Sequence, residues 1–184
     1  ARYIGFVGIS IFAASCFMNT TLSLDSAGDQ FFIPNIVRAI GQALVLTPIT
    51  VITTARIASS DAAAASGLSN MLRNLGGAIG TATLATVLTK REQFHSNIIG
   101  QSVTVYRDEV RDRIGDLTRY FMTHGVTDAA VAQQKAIAAI AATVRRQALI
   151  LGFSDTFAVI GIVLVLAAIA LLFTRKIQLG GAGA

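Results

Sequence analysis

Residues 157–173 read FAVIGIVLVLAAIALLF and contain no charged side chain. The apolar stretch around them begins near Leu149, and Asp155 is its one charge. A helix of about 20 mostly apolar residues is long enough to cross a hydrocarbon core of about 30 Å. In the whole chain 14% of the residues are charged, against roughly 25% in an average soluble domain. The sequence therefore predicts a membrane span here and lipid as the solvent of the chain.

Three earlier segments are also apolar enough to be spans, so we predict an all-α fold, a polytopic transmembrane helix bundle. The three segments cover residues 3–22, 31–57 and 62–89, and the last span covers 149–174. The second segment contains Arg38 and the third contains Arg73. Because a charge inside a bilayer is costly, both segments are expected to lie against neighbouring protein.

The distribution of Lys and Arg predicts how the spans are oriented. The cations on one side of the membrane are Arg2, Arg56, Arg175 and Lys176. The loop at residues 23–30, on the other side, carries the acids Asp25 and Asp29 and no cation. Both ends are therefore predicted to be cytoplasmic, with residues 175–184 as a flexible tail. The polar insert, residues 90–148, is predicted to be outside, because long segments are translocated largely regardless of charge.

The insert is predicted to be helical. Apolar residues recur at helical spacing over 103–121, and an Ala-rich segment follows a break at Gly125. Thr127 is the predicted N-cap of this second helix, which is expected to continue into the last span. The insert is either a solvated amphipathic helical hairpin or a docking surface for another protein. His95 and His124 have no further ligands at metal-binding spacing and are predicted to be surface residues.

A helical wheel of the third segment separates a small, polar face from a bulky one. The small face holds Ser66, Ser69, Asn70, Arg73, Gly76, Gly77, Gly80 and Thr83, and the bulky face holds Leu68, Met71, Leu72, Leu75, Ile79 and Ala82. Gly76 and Gly80 form a small-xxx-small pair, which allows close helix approach. We predict that the small face packs against protein and that the bulky face contacts lipid or large side chains.

Five polar residues of the spans are candidates for a translocation path, since ionisable residues in a bilayer usually face a cavity or a partner. They are Arg38, Gln42, Asn70, Arg73 and Asp155. The alternative for the two arginines is structural ion pairing or snorkelling, and for Asp155 it is an interfacial position. Gly41 and Pro48 in the second segment are predicted to allow close packing and a kink.

Several classes of function are excluded by what the sequence lacks. It has no nucleophile–base pattern, phosphate-binding loop or metal-ligand cluster, so we expect no enzyme activity and no metal or cofactor. The net charge of +5 is not gathered into a patch with aromatic residues, which argues against nucleic acid as a partner. Cys16 stands alone in an apolar run and is predicted to pack as a small hydrophobic residue.

Four stretches carry a resemblance to a known family. They are IVRAIGQALVLTPIT (36–50), AAAASGLSNMLRNLGGAIGTA (62–82), TKREQFH (89–95) and FSDTFAVIGIVLVL (153–166). In this order, with a long insert before the last span, the chain resembles the C-terminal part of a fourteen-span drug:proton antiporter of the major facilitator superfamily, EmrB/QacA type. The resemblance implies that the four segments are spans eleven to fourteen.

The resemblance also implies a function, namely multidrug efflux by alternating access in the bacterial inner membrane. Lipophilic, often cationic, drug-like compounds would be exported by proton-coupled transport, driven by the proton gradient without a cofactor. The N-terminal remainder of the transporter would supply the proton-coupling acids. Family members in two-membrane bacteria pair with a periplasmic adaptor protein and an outer-membrane channel. The alternatives are a transporter for a siderophore, amino acid or lipid, and a non-transporting membrane scaffold.

Two motifs of the chain differ from the motifs of the family that they resemble. Residues 38–41, RAIG, form a shortened version of an arginine–glycine motif in the N-terminal half of such transporters. Residues 75–82, LGGAIGTA, keep the glycines of the antiporter motif but not its proline. The glycines Gly41, Gly76, Gly77 and Gly80, together with Pro48, are expected to let helices slide and bend during switching.

Overall fold

Helices account for almost all of the structure, a computed structural model that describes residues 2–21, 28–54, 60–104 and 106–173, without side chains at 2, 29 and 47–54. Five α-helices and a short 3-10 helix (Gly28–Phe31) are present in these ranges, with no strand. The α-helices are α1 (Arg2–Met18), α2 (Phe32–Thr54), α3 (Ala62–Ser102), α4 (Asp108–Thr123) and α5 (Ala129–Phe173). The predicted all-α fold is confirmed.

Several residues behind the predicted orientation lie outside this description. They are Asp25, Arg56, Arg175 and Lys176, together with the tail at 175–184. The side chains of Arg2, Asp29 and Pro48 are likewise not described, although α2 continues through position 48. The orientation of the spans and the kink at Pro48 therefore stay predictions.

The chain divides into two compact units. Among the described residues, the span unit contains residues 2–21, 28–54, 60–86 and 154–173, and the insert unit contains residues 87–104 and 106–153. Helices α3 and α5 each contribute to both units. The polar insert of the sequence thus forms a compact body together with the adjoining ends of these two helices.

In the span unit, α1 packs antiparallel to the C-terminal part of α5. A Cβ atom placed on Gly5 would lie 3.2 Å from the Leu171 side chain. Further along α1, the Phe17 ring lies against Gly161 of α5, and the Ser154 hydroxyl donates a hydrogen bond to the Thr20 carbonyl oxygen. Small residues of both helices are buried: Ala13, Ser15, Cys16, Ser154, Thr156 and Ala168. The buried, free thiol of Cys16 agrees with its predicted packing.

A substitution of Gly161 tests how adaptable the contact with Phe17 is. The added methyl group of Gly161→Ala would lie 2.9 Å from the end of the Phe17 ring, which is a flexible side chain and 42% exposed. Rotation of the ring can relieve this contact, and alanine gains about 1 kcal/mol of helix propensity over glycine. We expect thermal unfolding of the purified protein to change little. A loss above about 2 kcal/mol would show a rigid, fully packed site.

The length and composition of α5 make it the one candidate membrane span among the described helices. Two shorter apolar helical segments, Tyr3–Met18 and Phe32–Leu46, lie in α1 and α2. The predicted spans at residues 3–22, 31–57 and 62–89 are thus helical over most of their lengths. Their insertion in a bilayer stays a prediction.

In the insert unit, a left-handed glycine separates α4 from α5. Gly125 has φ +100°, and the Val126 N–H donates to the Phe121 carbonyl, which is the 6→1 bond of a Schellman motif. Helix α5 begins shortly after this glycine and continues without interruption to Phe173. The sequence predicts this continuation from the insert helix into the last span. The insert's Ala-rich helix and the last apolar run are one element.

The predicted N-cap of α5 was wrong by one residue. The Asp128 carboxylate, not the Thr127 hydroxyl, accepts hydrogen bonds from the backbone N–H groups of Ala130 and Val131, at 2.8 and 3.4 Å. Aspartate ranks above threonine as a cap, and its negative charge also complements the positive end of the helix.

Removing this cap should destabilise the start of α5. We expect Asp128→Ala to lower the free energy of unfolding by about 0.5–2 kcal/mol, because two backbone donors lose their acceptor. Thr127→Ala is the matched control and should change it by less than about 0.5 kcal/mol. Hydrogen exchange of residues 129–133 measures both effects. Equal protection in the two variants would contradict the assignment of the cap.

Candidate functional site

The tightest helix contact described in the span unit lies where α1 crosses α2 at two glycines. A Cβ atom on Gly41 would lie 2.7 Å from the Phe12 backbone nitrogen and 2.9 Å from the Gly8 carbonyl oxygen. A Cβ atom on Gly8 would lie 2.9 Å from Leu44 Cβ. The two backbones therefore meet directly, and no side chain larger than hydrogen fits between them.

The α2 candidates lie close to this crossing. Arg38 and Gln42 are four residues apart, on the same side of α2, and both are exposed in the chain. Asn35 precedes them on the same exposed side. The buried Gly41 faces α1, so α2 has a packed glycine side and an open polar side.

The α3 candidates lie on an open helix. Asn70 and Arg73 are exposed, and so are the apolar residues Leu68, Leu72 and Leu75. A Cβ atom on Gly76, Gly77 or Gly80 would have no described heavy atom within 4 Å. The described part of the chain thus covers neither face of this part of α3. The predicted packing of the small face needs a partner outside the described residues and stays a prediction.

Asp155 has a different setting from the other four candidates. It is half-buried in α5, between the buried side chains of Ser154 and Thr156. The structure therefore groups the candidates by helix, with Arg38 beside Gln42, Asn70 near Arg73, and Asp155 on a third element. Among the described residues, no group of His, Cys, Asp and Glu side chains could hold a metal ion.

Two features of the site were not predicted from the sequence. One is Gly8, whose importance depends on its position opposite Gly41. The other is a set of buried polar side chains, Ser15 on α1 and Ser154 and Thr156 on α5. The signal available in the sequence was the spacing of small residues in α1, GISIFAAS at 8–15, which is typical of close helix packing.

The insert unit has two open apolar grooves between α3, α4 and α5. The first groove has a volume of about 420 Å³, and its apolar lining consists of Ile99, Val103, Leu117, Ala139, Ile140 and Val144. Its polar lining consists of Arg113, Thr143 and Gln147. A second groove of about 280 Å³ shares Val103, Ile140 and Val144 with the first. Within the described parts of α3 and α4 no residue is fully buried.

An ion pair and a close backbone contact join α3 to α5 in the insert unit. Arg145 Nε lies 3.7 Å from Glu92 Oε1. A Cβ atom on Gly152 would lie 3.2 Å from the Glu92 backbone nitrogen. These contacts hold the two long helices antiparallel at one end of the unit, while α4 covers the other end.

An all-helical fold with one helix long and apolar enough to span a membrane, and with further apolar helices packed at glycines, is typical of an α-helical membrane protein. The chain is 30% identical over 171 residues to the colistin resistance protein EmrB of Acinetobacter baumannii, an alignment that covers 93% of this chain and 33% of the relative. The chain belongs to the EmrB-type transporters of the major facilitator superfamily.

Two further relatives support this assignment. The multidrug export protein EmrB of Escherichia coli K12 is 30% identical over 151 residues, which cover 82% of this chain and 28% of the relative. The fatty acid resistance protein FarB of Neisseria gonorrhoeae is 25% identical over 146 residues, 79% of this chain and 27% of the relative. No protein-family profile and no solved structure matches the chain significantly. The chain spans about a third of the length of the curated relatives that it matches.

Proposed function

We propose that the chain is part of a bacterial inner-membrane transporter that exports lipophilic, often cationic, compounds by proton-coupled alternating access. The observation that carries this proposal is the similarity to the colistin resistance and multidrug export proteins, which covers 93% and 82% of the chain. The first of these relatives is named for colistin resistance and the second for multidrug export, and FarB is named for fatty acid resistance.

The α1–α2 crossing supports a moving helix bundle. Alternating access requires packed helices to shift against one another. At Gly41 the nearest atoms of α1 are backbone atoms of Gly8 and Phe12, so no interlocking side chain opposes sliding at that point. The open α3 face, with Arg73 and the three glycines, is proposed to complete the pathway against the N-terminal remainder of the transporter. The lipid bilayer, and an adaptor protein with an outer-membrane channel, are the further proposed partners.

Drug accumulation in cells tests this function. The full-length gene is expressed in bacteria that lack their own efflux pumps, and uptake of a fluorescent lipophilic cation is followed. We expect lower accumulation than in cells carrying the empty vector, and restoration of accumulation when a protonophore collapses the proton gradient. Unchanged accumulation with folded protein in the membrane would contradict drug export and leave a transporter for another substrate, or a scaffold.

Fatty acid export is the second candidate function, favoured by the similarity to the fatty acid resistance protein. The same strain distinguishes the two candidates when growth is measured in long-chain fatty acids and in cationic dyes. Protection from dyes supports multidrug export. Protection from fatty acids alone would assign the second function.

A further inference from the structure

Charge is distributed unevenly around the apolar grooves of the insert unit. Three arginines there have carboxylate partners within 4 Å: Arg111 with Asp108, Arg119 with Asp116 and Arg145 with Glu92. Arg113 lines the first groove and makes no ion pair in the described part of the chain, although Glu109 lies four residues before it on α4. An unpaired guanidinium beside an apolar surface can bind an anion.

The rest of the lining has complementary chemistry. Six of the nine side chains along the first groove are apolar, and the Gln147 amide adds a neutral hydrogen-bonding group. No carboxylate lines either groove. A volume of about 420 Å³ lies within the range of about 300–1,000 Å³ that is usual for small-molecule sites. The groove therefore offers an aliphatic chain its apolar contacts and a negative headgroup one cation.

We propose that this groove binds an amphiphile with a single anionic headgroup and an aliphatic chain, such as a long-chain carboxylate, with the headgroup at Arg113. A cationic amphiphile would place its charge beside Arg113 without a carboxylate to compensate it. A neutral alcohol of the same length would fill the apolar lining but leave the guanidinium without a partner. The proposal concerns binding in the insert unit and does not rest on the proposed function in export.

Photo-crosslinking on the full-length protein tests this site directly. The protein is placed in phosphatidylcholine nanodiscs and labelled with a fatty acid that carries a diazirine in its tail, and the labelled residues are mapped by mass spectrometry. We expect labelling around Val103, Ile140 and Val144. Dodecanoate should compete with the label at least about threefold better than dodecanol. Equal competition by the two, or labelling spread over 157–173 without enrichment at the groove, would overturn the proposal.

Two pairs of variants separate the site from non-specific partitioning. Arg113→Gln should reduce labelling at least about threefold, whereas Arg119→Gln, on the same helix but outside the groove, should not. Ala139→Phe fills the groove and should abolish labelling, whereas Ala138→Phe adds the same ring at the adjacent exposed position. Equal labelling within either pair would overturn the proposal. The competition on the unsubstituted protein decides the matter even if a variant fails to fold.

Discussion

Replacing Gly41 with alanine is expected to lower the free energy of unfolding of the protein by about 2 kcal/mol. The added methyl carbon would lie 2.7 Å from the Phe12 backbone nitrogen and 2.9 Å from the Gly8 carbonyl oxygen. Both are backbone atoms of another helix, so no side-chain rotation can relieve the contact and α1 must move away from α2. The gain in helix propensity from glycine to alanine offsets at most about 1 kcal/mol.

Gly67→Ala is the matched control, since it adds the same atom to α3 where nothing described lies within 4 Å. Its stability should stay unchanged or rise slightly, because alanine favours the helix. The apparent melting temperature, measured by fluorescence-detected size-exclusion chromatography, reports both variants. If Gly41→Ala and Gly67→Ala melt together, the glycine crossing is not needed to hold α1 and α2 in contact.

Replacing Gly77 with leucine is expected to reduce drug export by about tenfold or more. In the proposed transporter the small face of α3 packs against other helices, and overpacking by a large side chain costs about 1–3 kcal/mol. If the cost falls on one of the two access states, about 1.4 kcal/mol shifts their ratio tenfold. Arg73→Ala on the same face should also lower export at a normal level of expressed protein.

Ala82→Leu is the control for Gly77→Leu, because it adds bulk on the opposite, bulky face of α3. Export by this variant should stay within about twofold of the unsubstituted protein, since a position predicted to contact lipid or large side chains accepts a leucine. The initial rate of dye efflux from preloaded cells measures all three variants. Full efflux by Gly77→Leu and Arg73→Ala, together with disturbed assembly, would favour the scaffold.

The long elements could be predicted from the sequence because their signals are strong. The uncharged run after Asp155 and the break at Gly125 predict a helix that continues from the insert into the last span. Helix α5 is such a continuous helix. The end of α3 could not be obtained in this way. Residues 89–93, TKREQ, mark a change from apolar to polar sequence, but Lys, Arg, Glu and Gln are good helix formers. The helix therefore continues to Ser102.

The candidate site could be predicted only as a set of residues on helix faces. Gly41 could be named from its own segment, but its effect depends on the register of α1, which places Gly8 and Phe12 opposite it. Helix pairing of this kind is set by contacts between segments that are distant in the sequence. It cannot be predicted from the composition of either segment alone. The grooves around Val103 and Ile140 could not be predicted for the same reason. Side chains of three helices form them, and the sequence of any one helix does not indicate a groove.

Transport by the purified full-length protein in liposomes is the most direct measurement of the proposed function. The liposome interior is made acidic relative to the outside, and uptake of a fluorescent lipophilic cation is followed. An antiporter should accumulate the dye as protons leave, and a protonophore should stop this accumulation. Gly77→Leu should show at most about a tenth of the uptake rate. Folded, inserted protein that gives no uptake, or uptake that persists after the pH gradient is collapsed, would contradict proton-coupled export.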